Sequence, residues 1–139
     1  MNTLKLILAI VAGFIAGSLV NMGLISLSPH VIAPPPGVNL ADMESIKAAM
    51  PFMGPKYFLF PFLAHALGTL AGAFIALLIA PHGKEWAAWV IGIMFLAGGI
   101  AASFMIPAPK WFVVVDLVLA YLPMAWLAIR AERKIAAKK

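Results

Sequence analysis

Residues 57–80 read YFLFPFLAHALGTLAGAFIALLIA, a stretch without one Asp, Glu, Lys or Arg. About twenty apolar residues in a helix cross a hydrocarbon core of roughly 30 Å, so this run predicts a membrane span. Inside it, Gly68 and Gly72 lie four residues apart and His65 sits one turn before them. Small residues at that spacing let two helix backbones approach closely, and an ionisable residue at that depth calls for a partner.

The reading extends in both directions. Residues 6–41 and 86–109 also lack every Asp, Glu, Lys and Arg, and residues 111–129 contain one acidic group, Asp116. Spans are expected at about 6–27, 57–80, 86–106 and 111–129. The chain has 139 residues, 64% hydrophobic and 11% charged, against about 45–50% apolar and 25% charged in a soluble domain. That balance excludes a soluble enzyme, a disordered tail and a nucleic-acid-binding domain. With no cysteine, disulfides, thiolate chemistry and iron–sulfur ligation are excluded as well. Ala16-Gly17-Ser18 resembles a signal cleavage site. The apolar run continues well past it, however, and the first segment reads as a retained span.

The links Pro81-His82-Gly83-Lys84-Glu85 and Pro107-Ala108-Pro109-Lys110 are short, which forces antiparallel neighbours. The expected fold is therefore an all-α membrane protein. Its four transmembrane helices form an up-and-down bundle, a single membrane domain over residues 1–139. Placing both termini in the cytoplasm puts Lys5, Lys84, Arg130, Arg133, Lys134, Lys138 and Lys139 inside and only Lys47, Lys56 and Lys110 outside, as the positive-inside rule favours. The net charge of +5 then arises mostly from a cytoplasmic basic tail, 130–139.

The loop 28–56 faces outward in this topology. Pro34-Pro35-Pro36-Gly37 is expected to run as extended polyproline. Beyond it, Asn39 is expected to cap a short amphipathic helix from Leu40 to Met50, ended by Pro51. Leu40, Met43, Ile46 and Met50 line one face of it, suited to lying on the membrane or capping the bundle.

Each span carries a stripe of small residues: Ala9, Gly13, Gly17 and then Asn21; Gly68 and Gly72; Ala88, Gly92, Gly99 and Ser103; Asp116, Ala120 and Pro123. The six glycines in these stripes are expected helix-packing residues. At 1.5 Å per residue, Asn21 and Asp116 lie about 7 Å, and His65 about 5 Å, outward of the middle of their spans. Asn21, His65 and Asp116, with Ser103 and Thr69, are therefore expected to meet in the outer half of the bundle. Such a cluster serves either as a hydrogen-bond network fixing helix rotation or as a proton- or solute-binding site. One intramembrane His supplies too few ligands for a metal or haem, and no cofactor is expected. His30 and His82 read as loop residues. No HExxH, phosphate-binding loop or Gly-rich strand–helix fingerprint occurs, so no residue is assigned a catalytic role.

Three functions follow from these residues. The first is an accessory or scaffolding membrane subunit in which the polar cluster serves packing, as a homo-oligomer or within a larger membrane complex. The second is a small proton- or solute-transporting subunit, and the third an intramembrane enzyme acting on a lipid or quinone. Membrane lipids are the expected partners, and nucleic acid is not one.

Leu19-Val20-Asn21-Met22, Pro34-Pro35-Pro36-Gly37, the run Ala64 to Gly72 and Val115-Asp116-Leu117 resemble a group of small four-span bacterial membrane proteins without assigned activity. The resemblance covers most of the chain. It implies a bacterial inner membrane and a four-helix arrangement, and it carries over no catalytic or binding residue.

Overall fold

The computed structural model describes residues 2–82 and 84–139. Met1, and Gly83 of the link between the second and third spans, lie outside the described residues. In chain order the helices are α1 (Asn2–Val31), α2 (Met43–Ala49), α3 (Leu59–Ile79), α4 (Trp86–Met105), α5 (Lys110–Leu119) and α6 (Leu122–Ala136), with no strand among the described residues. Four stretches are long and apolar enough to cross a membrane: α1, the segment Pro55–Ile79 containing α3, α4, and the segment Lys110–Ala136 containing α5 and α6. The protein is an all-α, four-span membrane protein with an up-and-down bundle. Helices suit this setting because each satisfies its own backbone polar groups where no water is present to do so.

α3 is the central element and packs on α1, α4, α5 and α6. α1 rests on α3 and the edge of α4, whereas α6 packs on the same two helices from the other side. The bundle is thus a rhombus with α3 and α4 across its short diagonal. α1 runs unbroken through Ala16-Gly17-Ser18 and passes Pro29 in its last turn, where the hydrogen bond and the clearance that a proline removes disturb only the end of the helix. It buries only Ala9, Gly13 and Gly17, while Leu8, Val11, Ile15 and Leu19 face outward. In the half of the bundle holding the chain termini, Ala73, Ala76, Ala87, Ala88, Ile91, Ala125, Ala128 and Ile129 form a closed core. Mostly alanine, it lets the helix axes approach closely.

The loop differs from expectation in two places. The proline run does not stay extended: it reverses at a type II turn with Pro36 and Gly37 at its centre, where Gly37 takes φ +81° and Val38 N–H donates to Pro35 O at 3.2 Å. Glycine occupies the position that needs positive φ. The cap of the loop helix is Asp42, whose side chain accepts from Glu44 N–H. Asn39 instead accepts from Ala41 N–H at 3.0 Å, one turn early. α2 is therefore shorter than Leu40 to Met50 and continues as a 3-10 turn, Met50–Phe52, around Pro51.

The fourth span is two helices, not one. α5 ends at Leu119 and α6 begins at Leu122, with Tyr121 between them at φ −121°, ψ −80°. Pro123 explains the break. It has no N–H for the Leu119 carbonyl, and its ring would clash there, yet it is well tolerated in the first turn of a new helix.

Candidate functional site

The break re-aims Tyr121. In a continuous helix, residues five apart point about 140° away from each other. Across the break, however, the Tyr121 hydroxyl donates to Asp116 Oδ2 at 2.9 Å. The other carboxylate oxygen, Oδ1, lies 2.8 Å from His65 Nδ1 on α3. The His65 and Tyr121 rings stack at a centroid distance of 5.9 Å. A chain of three side chains, Tyr121–Asp116–His65, thus joins α3 to both halves of the fourth span.

Burial along this chain is graded. Tyr121 is 1% exposed and Asp116 4%, while the His65 side chain is 26% exposed. Gly99 on α4 makes the room for Tyr121: a Cβ there would collide with the phenol hydroxyl and ring. A buried carboxyl group needs its oxygens satisfied, and this one has a partner on each.

His65 opens onto a cavity of about 310 Å³ at the loop end of the bundle. His65, Asp116, Leu117 and Gly99 form its floor; α1 contributes Ile25, Pro29 and Ile32, and α5 contributes Phe112 and Val113. Leu40, Ile46, Met50 and Met53 lie over it, so the apolar face of the loop helix covers a cavity. Phe58, packed on Phe112 at 4.8 Å and edge-on to Trp111 at 5.6 Å, ties the start of α3 to the start of α5 along one wall.

The structure divides the expected cluster. His65 and Asp116 meet directly, and Ser103 lines the same cavity but donates its hydroxyl to the Ile100 carbonyl of its own helix. Thr69 is fully buried and donates to the His65 carbonyl one turn back, so its hydroxyl serves α3 alone. Asn21 does not join. It lies against Gly68, and its buried Oδ1 has no hydrogen-bond partner. A shared level along the helix axes does not fix rotation about them, and α1 turns Asn21 toward the glycine contact. Tyr121 completes the site and was absent from the sequence expectation. Its signal was Pro123 two residues later, which breaks the helix that a stripe of Asp116, Ala120 and Pro123 presupposes.

Five of the expected packing glycines lie at helix contacts. A Cβ on Gly13 would stand 2.5 Å from Gly72 O, one on Gly17 2.6 Å from Gly68 O, and one on Gly72 2.6 Å from Gly13 O. Gly68 faces Gly17 and Asn21, and Gly92 faces Ala125 of α6. Gly99, as described, receives a side chain instead of a backbone.

Among the described residues, no three His, Cys, Asp or Glu side chains gather as metal ligands. What the arrangement offers is one imidazole, held by a buried carboxyl group, at the base of an apolar space. It suits a molecule with an apolar body and one polar group. No family model, no curated protein and no solved structure matches this chain, so no residue takes its role from a relative.

Proposed function

We propose that this chain is a multi-pass protein of the bacterial inner membrane, with both termini in the cytoplasm, and that it holds one membrane-soluble amphiphile in the cavity beneath its outward loop. The observation that carries the binding reading is where the hydrogen-bond chain ends. It stops at His65, on the floor of an apolar cavity, and is not sealed inside a helix contact. In an accessory subunit whose polar network served packing alone, the same groups would be enclosed by their neighbours. The alanine-rich core beyond Tyr121 closes the other half of the bundle, which favours a dead-end binding site over a conducting path.

The amphiphile's apolar part lies against residues such as Ile25, Ile46 and Phe112, and its polar group reaches His65. Extraction of the purified protein followed by mass spectrometry tests this. One amphiphile class should be enriched over bulk lipid and depleted from Ala102→Phe, a variant that fills the cavity from α4. Identical lipid profiles for the two proteins would contradict binding.

Seven basic residues at the end of the bundle with the chain termini, against three at the loop end, support the orientation. The chain has no cysteine, so single introduced thiols report sidedness directly. Lys47→Cys should react with an impermeant reagent in intact cells, and Lys138→Cys only after permeabilisation. The reverse pattern would overturn the orientation.

A further inference from the structure

We infer that the groove at the terminus end of the bundle, between the start of α1 and the end of α6, seats the phosphate headgroup of one anionic phospholipid. The groove encloses about 330 Å³ and shares no lining residue with the cavity over His65. α1 and α6 both pack on α3, and the end of α3 forms the back wall with Leu77, Leu78 and Ala80. Three segments far apart in the sequence bring lysines to it: Lys5 from α1, Lys84 from the link to α4 and Lys139 from beyond α6. Two carboxylates line it as well, Glu85 and Glu132. Glu85 is already committed, since Arg133 Nε and Nη2 take both of its oxygens. Among the described residues, none of the three lysines forms an ion pair. Three ammonium groups therefore share one uncommitted carboxylate, an excess of positive charge that suits a phosphate anion at a membrane interface.

The position of the groove selects a lipid over a soluble phosphate. Leu78 in its back wall is exposed, and so is Leu67, eleven residues earlier. Eleven residues are about three turns, so both lie on one face of α3. That face runs from the groove to the middle of the span, a path along which an acyl chain lies while its phosphate stays at the lysines. Lysine stems suit this level, because they follow apolar surface while the charged heads remain at the interface. The lysines of the loop end build no such site. Lys47 pairs with Glu44 at 3.3 Å and Lys56 lies over the Tyr57 ring at 5.0 Å. Neither they nor Lys110 line the cavity there.

Retention of lipid by the purified full chain tests this. Wild-type protein in detergent is equilibrated with equal amounts of phosphatidylglycerol and phosphatidylcholine of the same acyl chains, freed of excess lipid, and extracted for mass spectrometry. Phosphatidylglycerol should be retained over phosphatidylcholine by about tenfold or more, the scale of two or three lysines acting on one anionic headgroup. Lys5→Gln/Lys84→Gln should bring the ratio close to one. Lys56→Gln/Lys110→Gln, which removes the same charge at the loop end, should leave it unchanged. A wild-type ratio near one, a preference that survives Lys5→Gln/Lys84→Gln, or an equal loss in both double variants would overturn the inference. Glycerol phosphate in large excess should not displace the retained lipid. Displacement would mean a site for soluble phosphate and would overturn the lipid assignment.

Discussion

Asp116 and Tyr121 are five residues apart, a separation that no continuous helix turns to one face. They meet because Pro123 stops α5 and restarts the chain as α6, leaving Tyr121 outside helical geometry. His65 and Asp116 were legible in the sequence, since an ionisable residue in an uncharged span is conspicuous. Tyr121 was not, because patterns at steps of three and four presuppose the helix that the proline breaks. Removing the Tyr121 hydroxyl leaves Asp116 Oδ2 buried without its donor. Tyr121→Phe should therefore lower stability in detergent by about 1–3 kcal/mol, read from equilibrium unfolding, while the secondary structure is retained. An unchanged stability would mean that the hydroxyl contributes nothing to holding the site.

At the level of elements, α1 and α3 meet backbone to backbone. Gly13 and Gly17 face Gly72 and Gly68 so closely that an added Cβ would enter the opposing carbonyl oxygen. The four-residue spacing made this contact legible, and all four spans were legible from their lack of charge. Rotation was not, as Asn21 shows: its level matched that of His65, but the glycine contact turned it elsewhere. Gly13→Ala and Gly17→Ala should each destabilise by about 1–3 kcal/mol through overpacking. Gly23 and Gly98 have nothing within 4 Å of the added atom. The same substitution there should be neutral or stabilising by up to about 1 kcal/mol, because alanine is the better helix former. Thermal unfolding of the four variants side by side checks the contrast.

Over the whole molecule, the two ends of the bundle are built differently. The end with the termini is closed by alanines and held at its surface by a fork of Arg133 onto Glu85, with Nε–Oε1 at 2.6 Å and Nη2–Oε2 at 2.5 Å, linking the start of α4 to α6. These hydrogen bonds, more than the Coulomb attraction, hold the Glu85 carboxyl below its ordinary value of 4.5. A carboxyl group with a lowered folded-state value stabilises the fold above its unfolded value, and that contribution is lost as pH falls through the folded one. Unfolding temperatures should accordingly drop on acidification through the carboxylate range, and Glu85→Gln should show a smaller part of that drop. Equal drops in both proteins would show the pair to be inert.

The loop end is where the helices separate over His65, and whether that space holds a ligand is the central question. The most direct measurement is the side-chain ¹⁵N resonance of His65 in histidine-labelled protein, assigned by its loss in His65→Phe, during titration with a long-chain alcohol, whose hydroxyl both donates and accepts. Occupation of the cavity should shift this signal saturably in the wild type and leave it fixed in Ala102→Phe. A His65 resonance that stays unmoved in the wild type, or moves equally in both proteins, would contradict a ligand site at this cavity.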